Sequence, residues 1–129
     1  VIKREHVVMF AGGVGVTPLR SIFEALPEGR HRITFLYREG DPAETIFREE
    51  LLALAARHGA VLRFLEGHRG TEMMPIDPLA PEWLYRHAPD ILESDVLICG
   101  SRSCTQRILD SLKVLRVPDD QIHAERFGY

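Results

Sequence analysis

Gly12, Gly13 and Gly15, followed by Thr17 and Pro18, are the residues here whose types and spacing first suggest chemistry. They lie in VVMFAGGVGVTP at 7–18, where an apolar run, a glycine-rich turn and a Thr-Pro helix start stand in series. That order builds a cradle for a pyrophosphate. The glycines let the backbone turn sharply and lie against a ligand with no side chain between them. Thr17 is expected at the N-cap and Pro18 at the first helical position, where a missing N–H costs nothing. The remaining free N–H groups and the positive end of the helix dipole would then face the turn and favour an anion. A tight structural turn is the alternative. No Gly-Lys-Ser/Thr follows, so this is not a Walker phosphate loop. Counted from Gly13, the third glycine of G-x-G-x-x-G is replaced by Pro18, which departs from the common dinucleotide fingerprint.

Two further places carry reactive or polar groups. Cys99-Gly100-Ser101-Arg102-Ser103-Cys104 has neither the Cys-to-Arg spacing of a phosphatase nor the G-x-S-x-G of a hydrolase elbow. Gly100 permits close approach of a ligand ring, and Ser101, Arg102 and Ser103 can donate to a ribose, phosphate or carboxamide. A cysteine at a strand end, as Cys99 is here, is more often a small packed residue than a chemical one. Arg38 follows an apolar run where nucleotide-binding α/β domains meet the adenosine ribose. Its planar donor fork suits a 2′-phosphate, whereas the adjacent Glu39 suits two ribose hydroxyls; a solvated loop arginine is the other reading. Arg48 is a lesser candidate for the same phosphate. Six histidines, at 6, 31, 58, 68, 87 and 123, show no paired ligand spacing, so no metal site is expected.

These residues must be positioned by elements, and helical and strand signals alternate. Strands are expected near 7–10, 33–37, 61–65, 95–99 and 121–127. Helices are expected from the glycine turn to Leu26, over 43–58 with Gly59 as its stop, over 83–87, and over 105–115. The segment 67–81, rich in Gly, Pro and charge, reads as an irregular loop. The first helix should turn Leu19, Ile22, Phe23 and Leu26 inward, and the second Ile46, Phe47, Leu51, Leu54 and Ala55. The fold class is therefore α/β, a five-stranded parallel sheet with helices on both faces. Ligands of such sheets bind beyond the carboxyl ends of the strands, near a topological switch point. The candidate segments are 12–18, 38–42, 66–77, 100–104 and 126–129.

With 129 residues the chain suits a single domain spanning 1–129. A net charge of −3 argues against a nucleic-acid or membrane-surface binder, and no apolar stretch reaches the roughly 20 residues of a membrane span. Two cysteines point to a reducing, cytoplasmic compartment rather than a disulfide scaffold. The opening VIKREH shows no signal peptide, and the lack of an initiating Met reads as a fragment of a larger protein.

AGGVGVTPLRS at 11–21, FLYR at 35–38 with FREEL at 47–51, DVLICG at 95–100 and VPDDQIHAERFGY at 117–129 together resemble the NAD(P)-binding domain of the ferredoxin–NADP reductase superfamily. Within it, the resemblance is nearest to the bacterial flavoprotein branch of ferric reductases and NADPH oxidases. The resemblance spans the whole chain. It implies that Gly12, Gly13, Gly15, Thr17 and Pro18 meet the pyrophosphate and nicotinamide side of NADPH or NADH. It also implies that Cys99 and Gly100 lie beside the nicotinamide, that Glu125 is the last-strand carboxylate, and that Phe127 or Tyr129 covers a flavin. Thr17, Cys99 and Glu125 are then the residues nearest the hydride transfer to FAD, with Cys99 positioning rather than attacking.

The flavin in such proteins lies mainly in a preceding barrel, recognised by an Arg-x-Tyr-Ser/Thr segment that this chain lacks. The expected partner is thus a flavin-binding domain of the same polypeptide, in the cytoplasm or at the cytoplasmic face of a membrane protein. The downstream acceptor is haem, iron, oxygen or an iron–sulfur protein. Family members usually continue Cys-Gly-Pro-Pro-Gly-Met, where this chain has Ser101-Arg102-Ser103-Cys104. That departure bears on the shape of the nicotinamide pocket and keeps open the alternative, a non-catalytic α/β interaction module that kept the fold.

Overall fold

A computed structural model describes residues 2–38, 47–65 and 79–126. Five strands, β1 (His6–Gly12), β2 (Arg32–Arg38), β3 (Val61–Leu65), β4 (Ser94–Gly100) and β5 (Ile122–Arg126), form one sheet in the order β3-β2-β1-β4-β5. Every pairing is parallel. The helices α1 (Val16–Ala25), α2 (Arg48–His58), α3 (Pro81–His87) and α4 (Arg102–Val114) connect them.

The two-residue period of β1 explains the layers. Val7, Met9 and Ala11 face one side with Phe35, Tyr37, Leu97 and Cys99, under Val16, Leu19 and Phe23 of α1 and Leu51, Leu54 and Ala55 of α2. Val8 and Phe10 face the other side with Leu36, Val96 and Ile98, under Leu84 of α3 and Ile108 and Leu112 of α4. Phe23 is fully buried and stacks on Phe35 at 5.4 Å between ring centroids, a burial that stabilises by about 2–3 kcal/mol. The α/β class and the two helical layers are as the alternation of signals implies.

Boundaries differ in instructive ways. Helix α4 begins three residues before the expected 105, because Ser101 accepts a hydrogen bond from the Cys104 N–H at 3.3 Å and so starts the helix. Helix α2 begins at Arg48, with Phe47 in the left-handed region at φ 63°; the expected residues 43–46 lie outside the described residues. Gly59 ends α2 in the left-handed conformation at φ 64°, as its position after the last periodic residue predicts.

Candidate functional site

The sheet reverses its winding at β1, which pairs β2 on one side and β4 on the other. The carboxyl ends of β1 and β4 are therefore the switch point of this topology, the place where open α/β sheets bind their ligands. The glycine loop leaves β1 there and Cys99-Gly100-Ser101 leaves β4 there, so the two strongest sequence candidates meet at one place.

The glycines divide their labour differently from the simple cradle expected. Only Gly13 needs the left-handed region, at φ 57°. Gly15 is required by contact: a Cβ there would stand 2.1 Å from the Cys99 carbonyl oxygen and 2.7 Å from the Gly100 nitrogen. A Cβ on Gly100 would lie 3.3 Å from the Gly12 backbone, and one on Gly12 would meet the Cys104 Sγ at 3.0 Å. These glycines lock the loop onto the end of β4. The buried Tyr37 adds a tie from β2, its hydroxyl donating to the Gly13 carbonyl at 3.3 Å. Sequence reasoning passed over Tyr37; its signal was a tyrosine in an apolar strand, whose hydroxyl must find a partner when buried.

The helix start also needs correction. A single 3-10 turn, Gly13–Gly15, runs straight into α1, so Val16 takes the first helical position and Gly15 the cap. Thr17 and Pro18 are second and third. Thr17 therefore does not cap the helix; it is exposed on the first turn, while Pro18 still occupies a position whose N–H has no helical partner. No side chain caps α1. In this it differs from α4, whose start is closed by its own Ser101.

Arg38 ends β2 in register with Gly12, and its guanidinium donates to the Leu65 carbonyl at 3.1 Å. It is thus braced beside the glycine loop rather than loose in solvent. Arg48 lies over the Phe64 ring at 4.1 Å. Arg102 and Ser103 are exposed at the start of α4. Phe127 and Tyr129 lie outside the described residues.

On the α1 side, Cys99 pairs in register with Glu125 of β5. Both line a groove of about 630 Å³ with Ile2, Pro18, Leu19, Ile22, Leu97, His123 and Ala124. Burial, reinforced by the Glu125 charge, pushes the Cys99 thiol up to about 11, so it is neutral at physiological pH. A neutral buried thiol packs against a ligand and does not attack it. A second cavity of about 460 Å³ lies at the opposite, amino-terminal edge of the sheet, lined by His6, His31, Ser94 and neighbours. It is remote from the switch point. Among the described residues no cluster of side chains could hold a metal ion, and no helix is long and apolar enough to cross a membrane.

Comparison with known proteins agrees with this geometry. Residues 9–108 match the family described as the oxidoreductase NAD-binding domain. The chain is 36% identical over 124 residues to the ferredoxin reductase component of a 3-ketosteroid-9-alpha-monooxygenase from Mycobacterium tuberculosis, covering 93% of the chain and 33% of that protein. It is 30% identical over 129 residues to a Pseudomonas putida flavohemoprotein, covering 95% and 32%. The chain thus spans about a third of the length of the curated relatives it matches. Among solved structures, the flavohem-like FAD/NAD binding domain of a Vibrio cholerae nitric oxide dioxygenase superposes with a TM-score of 0.73 at 23% identity, covering 98% of the chain and 52% of that chain. The cytochrome b5 reductase domain of Ulva prolifera nitrate reductase gives 0.74 at 19%, covering 95% and 50%. The chain belongs to the oxidoreductase NAD-binding domain family, within the ferredoxin reductase-like superfamily.

Proposed function

We propose that this chain is the nucleotide-holding half of a longer flavoenzyme, presenting NADPH, or NADH, to an FAD carried mainly by a barrel domain of the same polypeptide. The observation that carries this reading is the uncapped start of α1, locked against β4 by Gly15 at the switch point. Amides of the glycine loop and of that helix start donate to the diphosphate, and the exposed Thr17 stands on the same turn. Arg38, braced beside the loop, takes the 2′-phosphate and favours NADPH. The neutral Cys99 and Gly100 pack beside the nicotinamide, with Glu125 across the strand pair. When bound, the nicotinamide and flavin supply the hydride chemistry themselves; the protein orients the rings and keeps water away. Ser101 serves first as the α4 cap, which leaves the exposed Arg102, with Ser103 beside the Ser101 hydroxyl, as the donors of that segment. Phe127 or Tyr129 is assigned to cover the flavin.

The names of the relatives support an iron–sulfur protein or haem as the next electron acceptor, while the motifs of the chain suit the ferric reductase and NADPH oxidase branch equally. Calorimetric titration with each nucleotide tests the reading. The wild-type chain should bind NADP+ and NAD+, and Arg38→Ala should weaken NADP+ about tenfold with little effect on NAD+, the loss of roughly one charge-assisted contact. Absence of binding by either nucleotide at millimolar concentration would contradict it and favour a non-catalytic interaction module.

A further inference from the structure

Asp95 is a buried charge with several partners. It is fully buried at the start of β4, where apolar residues dominate. Its Oδ2 accepts the backbone N–H groups of Lys3 at 2.7 Å and Arg4 at 2.8 Å, and its Oδ1 accepts from the Arg4 guanidinium at 3.0 Å. His123 Nε2 stands 3.6 Å from the same Oδ1. That nitrogen is itself buried and has no hydrogen-bond partner among the described residues.

One carboxylate on β4 thus touches the segment entering β1 and a residue of β5. These are also the pieces that wall the groove: Ile2 from the entry segment, Leu97 and Cys99 from β4, His123, Ala124 and Glu125 from β5. Asp95, Leu97 and Cys99 alternate along one strand, and the register Leu97–His123 and Cys99–Glu125 puts both couples on one face. Asp95 precedes the lining Leu97 by two residues on β4 and does not itself line the groove.

We infer that Asp95 is a positioning residue: by fastening the entry segment to β4 beside His123 of β5, it fixes the width of the groove and so the separation between its occupant and the Cys99–Glu125 pair. This rests on the proposed function, in which that groove is where the nicotinamide meets a partner ring. Asp95 makes no contact with the nucleotide cradle, so its loss should leave nucleotide affinity alone and change only the approach of the reacting rings.

The test uses the whole polypeptide that carries this chain, with Asp95→Asn and, as a milder variant, Arg4→Gln, which leaves the two backbone contacts to Asp95 intact. Stopped-flow reduction of the flavin by NADPH should slow about tenfold in Asp95→Asn and about threefold in Arg4→Gln. NADP+ affinity should stay within twofold. The primary isotope effect with C4-deuterated NADPH should change, a readout that general loosening of the fold does not move. Flavin reduction at the wild-type rate with an unchanged isotope effect in both variants would overturn the inference, as would a matching loss of NADP+ affinity. If Asp95→Asn fails to fold, Arg4→Gln decides alone. Failure of the wild-type protein to bind nucleotide would instead count against the functional reading.

Discussion

Gly15→Ala tests how the cradle is built. Gly15 has φ −63° and ψ −11°, a conformation any residue adopts, so alanine there brings no backbone strain. The space argues the other way. The new Cβ would lie 2.1 Å from the Cys99 oxygen, 2.4 Å from its carbonyl carbon and 2.7 Å from the Gly100 nitrogen, all backbone atoms of a central strand. No side chain can rotate to relieve this, so the loop and the start of α1 must retreat from β4 by about 1 Å. Overpacking of this kind costs about 1–3 kcal/mol and sometimes more; a clash against backbone belongs at the upper end, about 3 kcal/mol net. Urea unfolding followed by circular dichroism measures the loss. Nucleotide titration should show affinity falling about tenfold as the amides move. Gly13→Ala is the comparison, with open space around its Cβ but φ 57°, and should cost only about 1–2 kcal/mol. A Gly15→Ala protein within 0.5 kcal/mol of wild type would refute the close approach of loop and strand.

Three further outcomes follow from buried polar groups. Because its thiol is held up near 11, Cys99 should resist iodoacetamide at pH 7–8 while the less buried Cys104 reacts, read by peptide mass spectrometry; rapid modification of Cys99 would contradict its neutral, packed state. Burial alone would raise the Asp95 carboxyl, but the Lys3 and Arg4 amides and the Arg4 guanidinium outweigh it and hold it below the usual range. Its contribution is therefore complete above the unfolded value of about 3.9 and is lost as pH falls through the folded value. Asp95→Asn should cost about 3 kcal/mol in urea unfolding at pH 7 and progressively less below about pH 4; a penalty that grows with acid would reverse the sign. His58 is buried against Phe23, and neither ring nitrogen has a partner among the described residues. His58→Leu should raise stability by about 1 kcal/mol, and a loss of that size in thermal unfolding would show that the imidazole is satisfied.

The layers of this protein were legible because period-2 and period-3.6 apolar patterns are dictated by burial, and each inward residue of α1, from Leu19 to Leu26, is buried or half-buried. The meeting of the glycine loop with Cys99-Gly100 followed from strand order, which alternation and right-handed crossovers restrict. What escaped depends on contacts distant in sequence. Nothing near Gly15 reveals that its missing Cβ makes room for the Cys99 carbonyl, and nothing near Ser101 announces it as a cap until α4 is seen to start early. Asp95 left a weak local signal, a charge opening an apolar strand, but its partners lie 91 and 92 residues away. Helix α1 was placed a residue or two late because Thr-Pro is a common helix start, and here a 3-10 turn of glycines precedes it.

Amide chemical shifts of the labelled chain during titration with NADP+ probe the cradle most directly. If the ends of β1 and β4 hold the diphosphate as proposed, the amides of Gly13 to Thr17 and of Gly100 should move first and saturate together. Shifts confined to the amino-terminal edge of the sheet, around His6, His31 and Ser94, or no shifts at millimolar nucleotide, would contradict the assignment of those strand ends as the coenzyme site.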